Sequence, residues 1–138
     1  MFMEYSTVVV GTDGSEASLM AVERAATHLA PDALLIVVCA YCPAGHDFDG
    51  GLGLRAAQEA VRSAVARVVA AGAPEPQTEL VEGSPHQALL SVAEAQSADL
   101  IVLANHGLGS AAGAGLGSVP SIVTHRAGCD VLIVRAPA

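Results

Sequence analysis

The sequence predicts an α/β fold: an open, doubly wound, five-stranded parallel sheet in strand order 3-2-1-4-5, with helices on both faces. Two observations predict it. Four short segments are apolar on both sides of an extended chain, as strands inside a parallel sheet are: STVVVGT at 6–12, ALLIVVCAY at 33–41, DLIVLA at 99–104 and DVLIV at 130–134. Between them lie segments with apolar residues at helical spacing, which connect one parallel strand to the next.

A fifth strand and four helices complete the predicted order. The segment QTELVEG at 77–83 alternates polar and apolar residues, which is typical of a strand near a sheet edge. The third helix, to about residue 96, is predicted from an N-cap at Ser84, a proline at N1 and Gln87 at the capping-box spacing. The other helices are predicted from apolar stripes: Leu19, Val22, Ala26 and Leu29 in the first, Leu54, Ala57, Val61, Val65 and Val68 in the second, Val119, Ile122 and Val123 in the fourth.

Length and composition limit the possible function classes. The 138 residues predict one domain, 1–138, which is long enough to bury a core. Although 52% of the residues are apolar, the longest unbroken apolar run is about ten residues, well short of a membrane helix, so no membrane association is expected. A net charge of −8 without a lysine repels nucleic-acid phosphates, so no binding to DNA or RNA is expected. Three cysteines, an odd number, fit a reducing compartment, and a cytoplasmic location is predicted.

The segment NHGLGSAAGAGLGSV at 105–119 contains five glycines and directly follows a predicted buried strand. A flexible linker belongs between domains, whereas here a strand precedes the segment and a helix and strand follow it. Close approach of the backbone to a ligand is the favoured explanation. The segment ends in Gly117 and Ser118 at a predicted helix N-terminus, which attracts anions. A Walker A loop needs a lysine, and the glycines do not have the Rossmann spacing, so neither motif explains the segment.

Gly107 is followed after nine residues by Gly117-Ser118 and preceded, three positions earlier, by Ala104. This pattern resembles the nucleotide loop of the universal stress protein family, G-x2-G-x9-G-[S/T]. The resemblance extends to VVVGTDGSEAS at 8–18 and HRAGCDVLIV at 125–134, and so spans nearly the whole chain. It implies an adenine-nucleotide-binding stress-response or regulatory protein that binds ATP or another adenine nucleotide, with Mg²⁺ held by the phosphates and Asp13.

The resemblance also implies particular site residues at the carboxyl edge of the sheet. Asp13, with Thr12 beside it, would lie near the ribose and adenine, and the backbone of Ala40 would contact the adenine. The loop around the ribose and phosphates would comprise Ala104, His106, Gly107, Gly117, Ser118 and Val119. No protein side chains form a catalytic or metal-ligating constellation at this site, so an enzyme is not expected. Two alternatives stay open: a family member without a ligand that acts through protein contacts, and a slow nucleotide hydrolase.

Several of these residues have structural explanations as well. Asp13 is followed by Glu16 at the capping-box spacing and would then cap the first helix. Ser118 could be an N-cap, and His125 a partner of a helix C-terminus. Ala104 stands where the family has glycine; either it strains the backbone or its methyl approaches the ligand, or it has ordinary strand geometry.

The segment CAYC at 39–42 precedes His46, Asp47 and Asp49. One C-x2-C pair is weak support for zinc or redox chemistry, and Cys39, at the end of a buried strand, is interpreted as a small apolar residue. The last predicted strand, with Val131, Leu132, Ile133 and Val134, lies at a sheet edge, which predicts a homodimer through that strand.

Overall fold

A computed structural model of the chain describes residues 5–43, 52–106 and 117–136. Strands and helices alternate along it: β1 (Tyr5–Gly11), α1 (Glu16–Ala26), β2 (Leu29–Tyr41), α2 (Leu54–Ala70), β3 (Gln77–Glu82), α3 (Pro85–Ala95), β4 (Leu100–Ala104), α4 (Ser118–Arg126) and β5 (Asp130–Val134). All neighbouring strands pair in parallel, in the order β3-β2-β1-β4-β5. The predicted fold class and strand order are confirmed.

The central strands are buried on both faces because helices cover each side of the sheet. In β1, Val8 and Val10 belong to one apolar cluster and Val9 to the other, as the two-residue period of a strand requires. The first cluster packs against α1 and α2, and the second against α3 and α4. The near-continuous apolar runs in the sequence therefore report burial on two faces rather than one.

The boundary between α1 and β2 differs from the prediction. The predicted apolar stripe carried α1 as far as Leu29, but α1 ends at Ala26 and Leu29 begins β2, opposite Tyr5. Thr27 ends the helix: its backbone N–H and its hydroxyl both donate to the carbonyl of Arg24, at 3.1 and 2.7 Å. The helical spacing of Leu29 was therefore coincidental, because pairing with β1 overrides the local pattern.

Two details of the later helices also differ. Leu54, predicted in the apolar stripe of α2, is 44% exposed, because the helix packs through small residues such as Ala57 and Ala64 further along. At α3, Ser84 is the N-cap and Pro85 occupies the first turn, as predicted. The capping-box hydrogen bond is absent, however, and the hydroxyl of Ser84 is buried without a partner.

At the amino edge of the sheet, Asp99 joins the beginnings of β1 and β4. Its carboxylate accepts the backbone N–H groups of Ser6 and Thr7, at 3.0 and 2.9 Å. Burial by itself would raise the pKa of Asp99, but the hydrogen bonds from the Ser6 and Thr7 backbone outweigh it and hold the pKa below its ordinary value. The ionised carboxylate is therefore favoured in the folded state.

Asp99→Asn is expected to reduce the free energy of unfolding by about 1–2 kcal/mol at pH 7, since charge-assisted hydrogen bonds are replaced by neutral ones. A depressed folded-state pKa contributes stability that is present above the unfolded-state pKa and is lost as the pH falls through the folded-state pKa. The difference in the free energy of unfolding between wild type and Asp99→Asn should therefore become smaller as the pH falls. Urea unfolding from pH 7 to pH 2 measures it. Asp32→Asn, at an exposed position, is the control. A difference in the free energy of unfolding between wild type and Asp99→Asn that does not change with pH would contradict this role.

Candidate functional site

The sheet parts between β1 and β4 at its carboxyl edge. Pairing of these two strands ends at Val10 and Val102. Beyond that point β1 stays with β2, since the backbone N–H of Thr12 donates to the carbonyl of Val38 at 3.0 Å. This is the position at which the strand order reverses, and in such sheets the crevice outside the parted strands is the usual ligand site.

On the other side of the parting, β4 stays with β5. Their pairing continues to Ala104 and Val134, and the backbone N–H of Asn105 then donates to the carbonyl of Val134 at 3.0 Å. The chain after β1 and the chain after β4 are thereby held on opposite sides of one opening. The structure therefore places the turn after β1 on one side of the crevice and Asn105 and His106 on the other.

A closed hydrogen-bond network shapes the turn after β1. The hydroxyl of Ser18 donates to the carbonyl of Ser15 at 2.9 Å, which leaves its oxygen to accept from the hydroxyl of Thr12, also at 2.9 Å. The Thr12 oxygen in turn accepts the backbone N–H of Gly14 at 3.2 Å, and the backbone N–H of Asp13 points to the Ser18 oxygen at 3.3 Å. Thr12 and Ser18 are both buried, so these bonds fix the turn from inside.

Asp13 lies in this turn but does not cap α1. The N-cap is Ser15, whose hydroxyl oxygen accepts the backbone N–H of Ser18 at 3.2 Å. The interpretation of Asp13 as the helix cap is therefore wrong. One of its carboxylate oxygens accepts the N–H of Ser15 at 2.9 Å, which forms an Asx-turn immediately before the helix. Sequence reasoning missed Ser18, although a serine three residues after the N-cap, facing a strand end, was a visible signal.

At the end of β4, Asn105 connects three segments. It is 4% exposed, and its side-chain oxygen accepts the backbone N–H of Ala136 at 3.0 Å. Its carbonyl accepts the backbone N–H of Gly117, also at 3.0 Å. Sequence reasoning missed this residue as well; the signal was an amide side chain placed directly after an apolar strand.

The start of α4 is close to what the sequence predicted. Gly117, rather than Ser118, is the N-cap residue, with an extended backbone and no side-chain cap. Ser118 is therefore the first helical residue and is exposed, while Val119 is half-buried. His125 lies in the last turn, where a ring nitrogen is 2.9 Å from the carbonyl of Ser121. The exposed hydroxyl and the helix N-terminus at Ser118 together provide donors for an anion.

Two further predicted site residues, Ala40 and His106, lie around the same edge. Ala40 is half-buried near the end of β2, opposite Val81 of β3. The Nε2 atom of His106 is buried without a hydrogen-bond partner. Gly107 lies outside the described residues.

Ala104 has ordinary strand geometry. It pairs with Val134, and positive φ angles in non-glycine residues of the described chain occur at Asp32 and Ser97 only. Its methyl group belongs to the apolar cluster that packs against α1. The strained-backbone interpretation of the missing family glycine is therefore wrong.

The cysteine pair shows no sign of metal chemistry within the described residues, where no group of three or more histidine, cysteine or acidic side chains is close enough to hold an ion. Cys39 is buried, and this burial, with a smaller effect of the nearby Asp13 carboxylate, raises its pKa to about 12. The thiolate form of Cys39 is therefore disfavoured, which is consistent with a small apolar core residue. His46, Asp47 and Asp49 lie outside the described residues.

Comparison with known proteins decides the family. The family model described as "Universal stress protein family" matches residues 4–135. The chain belongs to the universal stress protein family. Universal stress protein Rv1636 of Mycobacterium tuberculosis is 41% identical to it over 141 residues, which cover 95% of this chain and 97% of that protein. The similarity between the chain and this relative therefore extends over nearly the full length of both.

Solved structures of universal stress proteins have the same fold. The crystal structure of a universal stress protein in complex with cAMP is 44% identical, with a TM-score of 0.75 over 96% of this chain and 98% of that one. UspA from Lactobacillus plantarum is 25% identical, with a TM-score of 0.78 over 97% of this chain and all of that one. Within the described residues of this universal stress protein, no helix is long and apolar enough to cross a membrane.

The turn after β1 depends on Gly14, which has a φ of +84° and lies where a Cβ atom would be 3.3 Å from that of Ala60 in α2. Gly14→Ala is expected to cost about 1–2 kcal/mol of stability from the positive φ, plus the contact with Ala60. Gly72→Ala shares the positive φ but meets nothing within 4 Å, and Gly128→Ala has neither feature.

Thermal or urea unfolding of the three variants separates backbone strain from crowding. Gly14→Ala is expected to be the most destabilising of the three, Gly72→Ala intermediate and Gly128→Ala the least. Equal stability of the Gly14 and Gly128 variants would show that the turn does not require glycine.

Proposed function

We propose that this universal stress protein binds an adenine nucleotide in the crevice between the ends of β1 and β4, and that the bound nucleotide regulates its contacts with other proteins. The observation that carries the proposal is the parting of the sheet, which places the Asp13 turn on one side and the exposed start of α4 on the other. The cAMP complex of a 44% identical relative supports the same ligand class.

Each side of the crevice supplies a different kind of contact. The carboxylate of Asp13 would accept hydrogen bonds from ribose hydroxyls, and the backbone near Ala40 would bind the adenine edge. The phosphate would lie at the start of α4, near Ser118, where backbone N–H groups and the helix dipole favour an anion. Thr12 would contribute by shaping the turn, because its hydroxyl is already bonded to Ser18 and Gly14.

The charge of the chain favours a ligand with few negative charges. The chain has a net charge of −8 and no lysine, and the nine residues between Gly107 and Gly117 include no basic side chain. Backbone N–H groups and one hydroxyl can hold the phosphate of cAMP, of charge −1, or of AMP, of charge about −2, more easily than a triphosphate, whose charges would repel the acidic protein. We therefore expect cAMP or AMP to bind more tightly than ATP in the absence of Mg²⁺, and Mg²⁺ to reduce the difference.

Isothermal titration calorimetry with cAMP, AMP, ADP and ATP, with and without Mg²⁺, tests this proposal. Asp13→Asn removes the charge that would hold the ribose but keeps the oxygen bonded to Ser15, and should weaken binding about tenfold. Asp32→Asn makes the same change at an exposed, irregular position in the first part of β2, toward the amino edge of the sheet, and should leave the affinity unchanged.

Two results would contradict the proposal. No measurable heat with any nucleotide at high micromolar protein, and no nucleotide released on denaturing the purified protein, would favour a family member without a ligand. Multiple turnovers of ATP to ADP would favour the hydrolase. The described site brings together no nucleophile with a neighbouring base, which is why regulation by occupancy is proposed in preference to catalysis.

A homodimer through β5 is the second part of the proposal. β5 lies at the sheet edge, and its Val131, Leu132 and Ile133 side chains are only half-buried. An apolar edge of this kind is at risk of aggregation unless another strand pairs with it. The opposite edge, β3, carries Glu79 and Glu82, whose charges would repel a second copy. The charges therefore favour β5 as the pairing edge.

Ile133→Lys is expected to yield monomer or insoluble protein, because it places a charge in the middle of the proposed interface. Val81→Lys is the matched control, since Val81 is likewise half-buried on an edge strand, at the other side of the sheet. Sedimentation velocity over a range of concentrations measures both variants. A dimer that is unaffected by Ile133→Lys but disrupted by Val81→Lys would place the interface on β3.

A further inference from the structure

Among the described residues, three polar residues are buried as a whole: Thr12, Ser18 and Asn105. The first two bind each other within one turn. Asn105 differs because its partners belong to two separate segments, the start of α4 and the chain leaving β5. A buried amide that bridges two elements determines how those elements lie relative to each other.

The side chain of Asn105 extends the pairing of β4 with β5 beyond the last strand residue. Its backbone N–H donates to Val134, and its side-chain oxygen accepts from Ala136, so the chain is held on both sides of Arg135. Ala136 is buried, and without this oxygen its N–H would lose its partner. Any residue could make the backbone bonds, but the bond to Ala136 needs a side-chain acceptor of this length.

The carbonyl of the same residue accepts the N–H of Gly117, the N-cap of α4. The peptide units on both sides of Asn105 therefore carry bonds to different elements, and its side chain fixes their orientation. A shift of Gly117 toward or away from the crevice would have to move Asn105, and with it the end of β5.

We propose that Asn105 is a positioning residue that ties the start of α4 to the end of β5, so that a nucleotide bound at the start of α4 also restrains the edge strand. This inference rests on the proposed nucleotide site. Binding and the order of β5 are then coupled, and by linkage whatever stabilises the end of β5 also strengthens nucleotide binding. Edge pairing of a second copy is one event that would do so.

Amide hydrogen exchange followed by NMR tests the connection directly, in wild type, Asn105→Ala and Asp99→Ala. Asp99 is a matched control because it is also a side-chain acceptor of backbone N–H groups next to β4, at the opposite end of the strand. In the free protein, Asn105→Ala should speed exchange of the Gly117 amide about tenfold relative to wild type. Asp99→Ala should leave Gly117 unchanged.

Saturation with cAMP should slow exchange of the β5 amides in wild type and in Asp99→Ala, but not in Asn105→Ala. The affinity for cAMP should fall about fivefold in Asn105→Ala alone. Asn105→Asp keeps the acceptor oxygen and should restore the protection of Gly117 in the free protein. If Asn105→Ala does not fold, Asn105→Ser, whose hydroxyl is too short to reach Ala136, replaces it.

Unchanged exchange of Gly117 in Asn105→Ala, or an equal effect of Asp99→Ala, would overturn the proposal. So would slower exchange of β5 on cAMP binding in Asn105→Ala. If wild type binds none of cAMP, AMP, ADP and ATP, the proposed nucleotide site is wrong. The positioning role is then decided by Gly117 exchange in the free protein: faster exchange restored by Asn105→Asp supports it, and any other result overturns it.

Discussion

All strands of the sheet run in the same direction, so their carboxyl ends share one edge, and the chain winds away from β1 and β4 in opposite senses. The helix after β1 covers one face of the sheet, whereas the helix after β4 covers the other. The two strands must therefore separate at that edge, beyond Val10 and Val102. The crevice, the turn at Asp13 and the start of α4 all follow from this one constraint of winding.

Each side of the crevice is held by buried polar groups rather than by apolar packing alone. After β1, the hydroxyls of Thr12 and Ser18 satisfy each other and the turn backbone. After β4, Asn105 satisfies backbone groups of α4 and of the segment after β5. Such groups are costly when unpaired, so these bonds limit the arrangements open to the two segments. Both segments are consequently held in place where strands end and regular pairing stops.

Backbone N–H groups at the start of α4 are a source of positive potential in a chain that is acidic overall. With 14 acidic residues against six arginines and no lysine, the protein as a whole repels anions. The N–H groups at the start of α4 are fixed partial charges that need no basic side chain. The proposed ligand, an adenine nucleotide of low charge, would suit this combination better than a highly charged one.

The sequence alone determined the fold class, the strand order and the family, because two-sided burial produces continuous apolar runs and the glycine spacing is specific. It also located the turn at Asp13 and the start of α4, since both follow strand ends. It did not assign Leu29 to β2, and it did not identify Ser15 as the N-cap of α1. Nor could it show that Ala104 has ordinary strand geometry. The Ser15 cap is local, with Ser18 three residues away, but Glu16 at the capping-box spacing pointed to Asp13 instead. The other features, like the three bonds of Asn105, depend on partners far away in the chain. Only the tertiary structure brings β5, α4 and β4 together, and this contact cannot be predicted from the spacing of residues within any one segment.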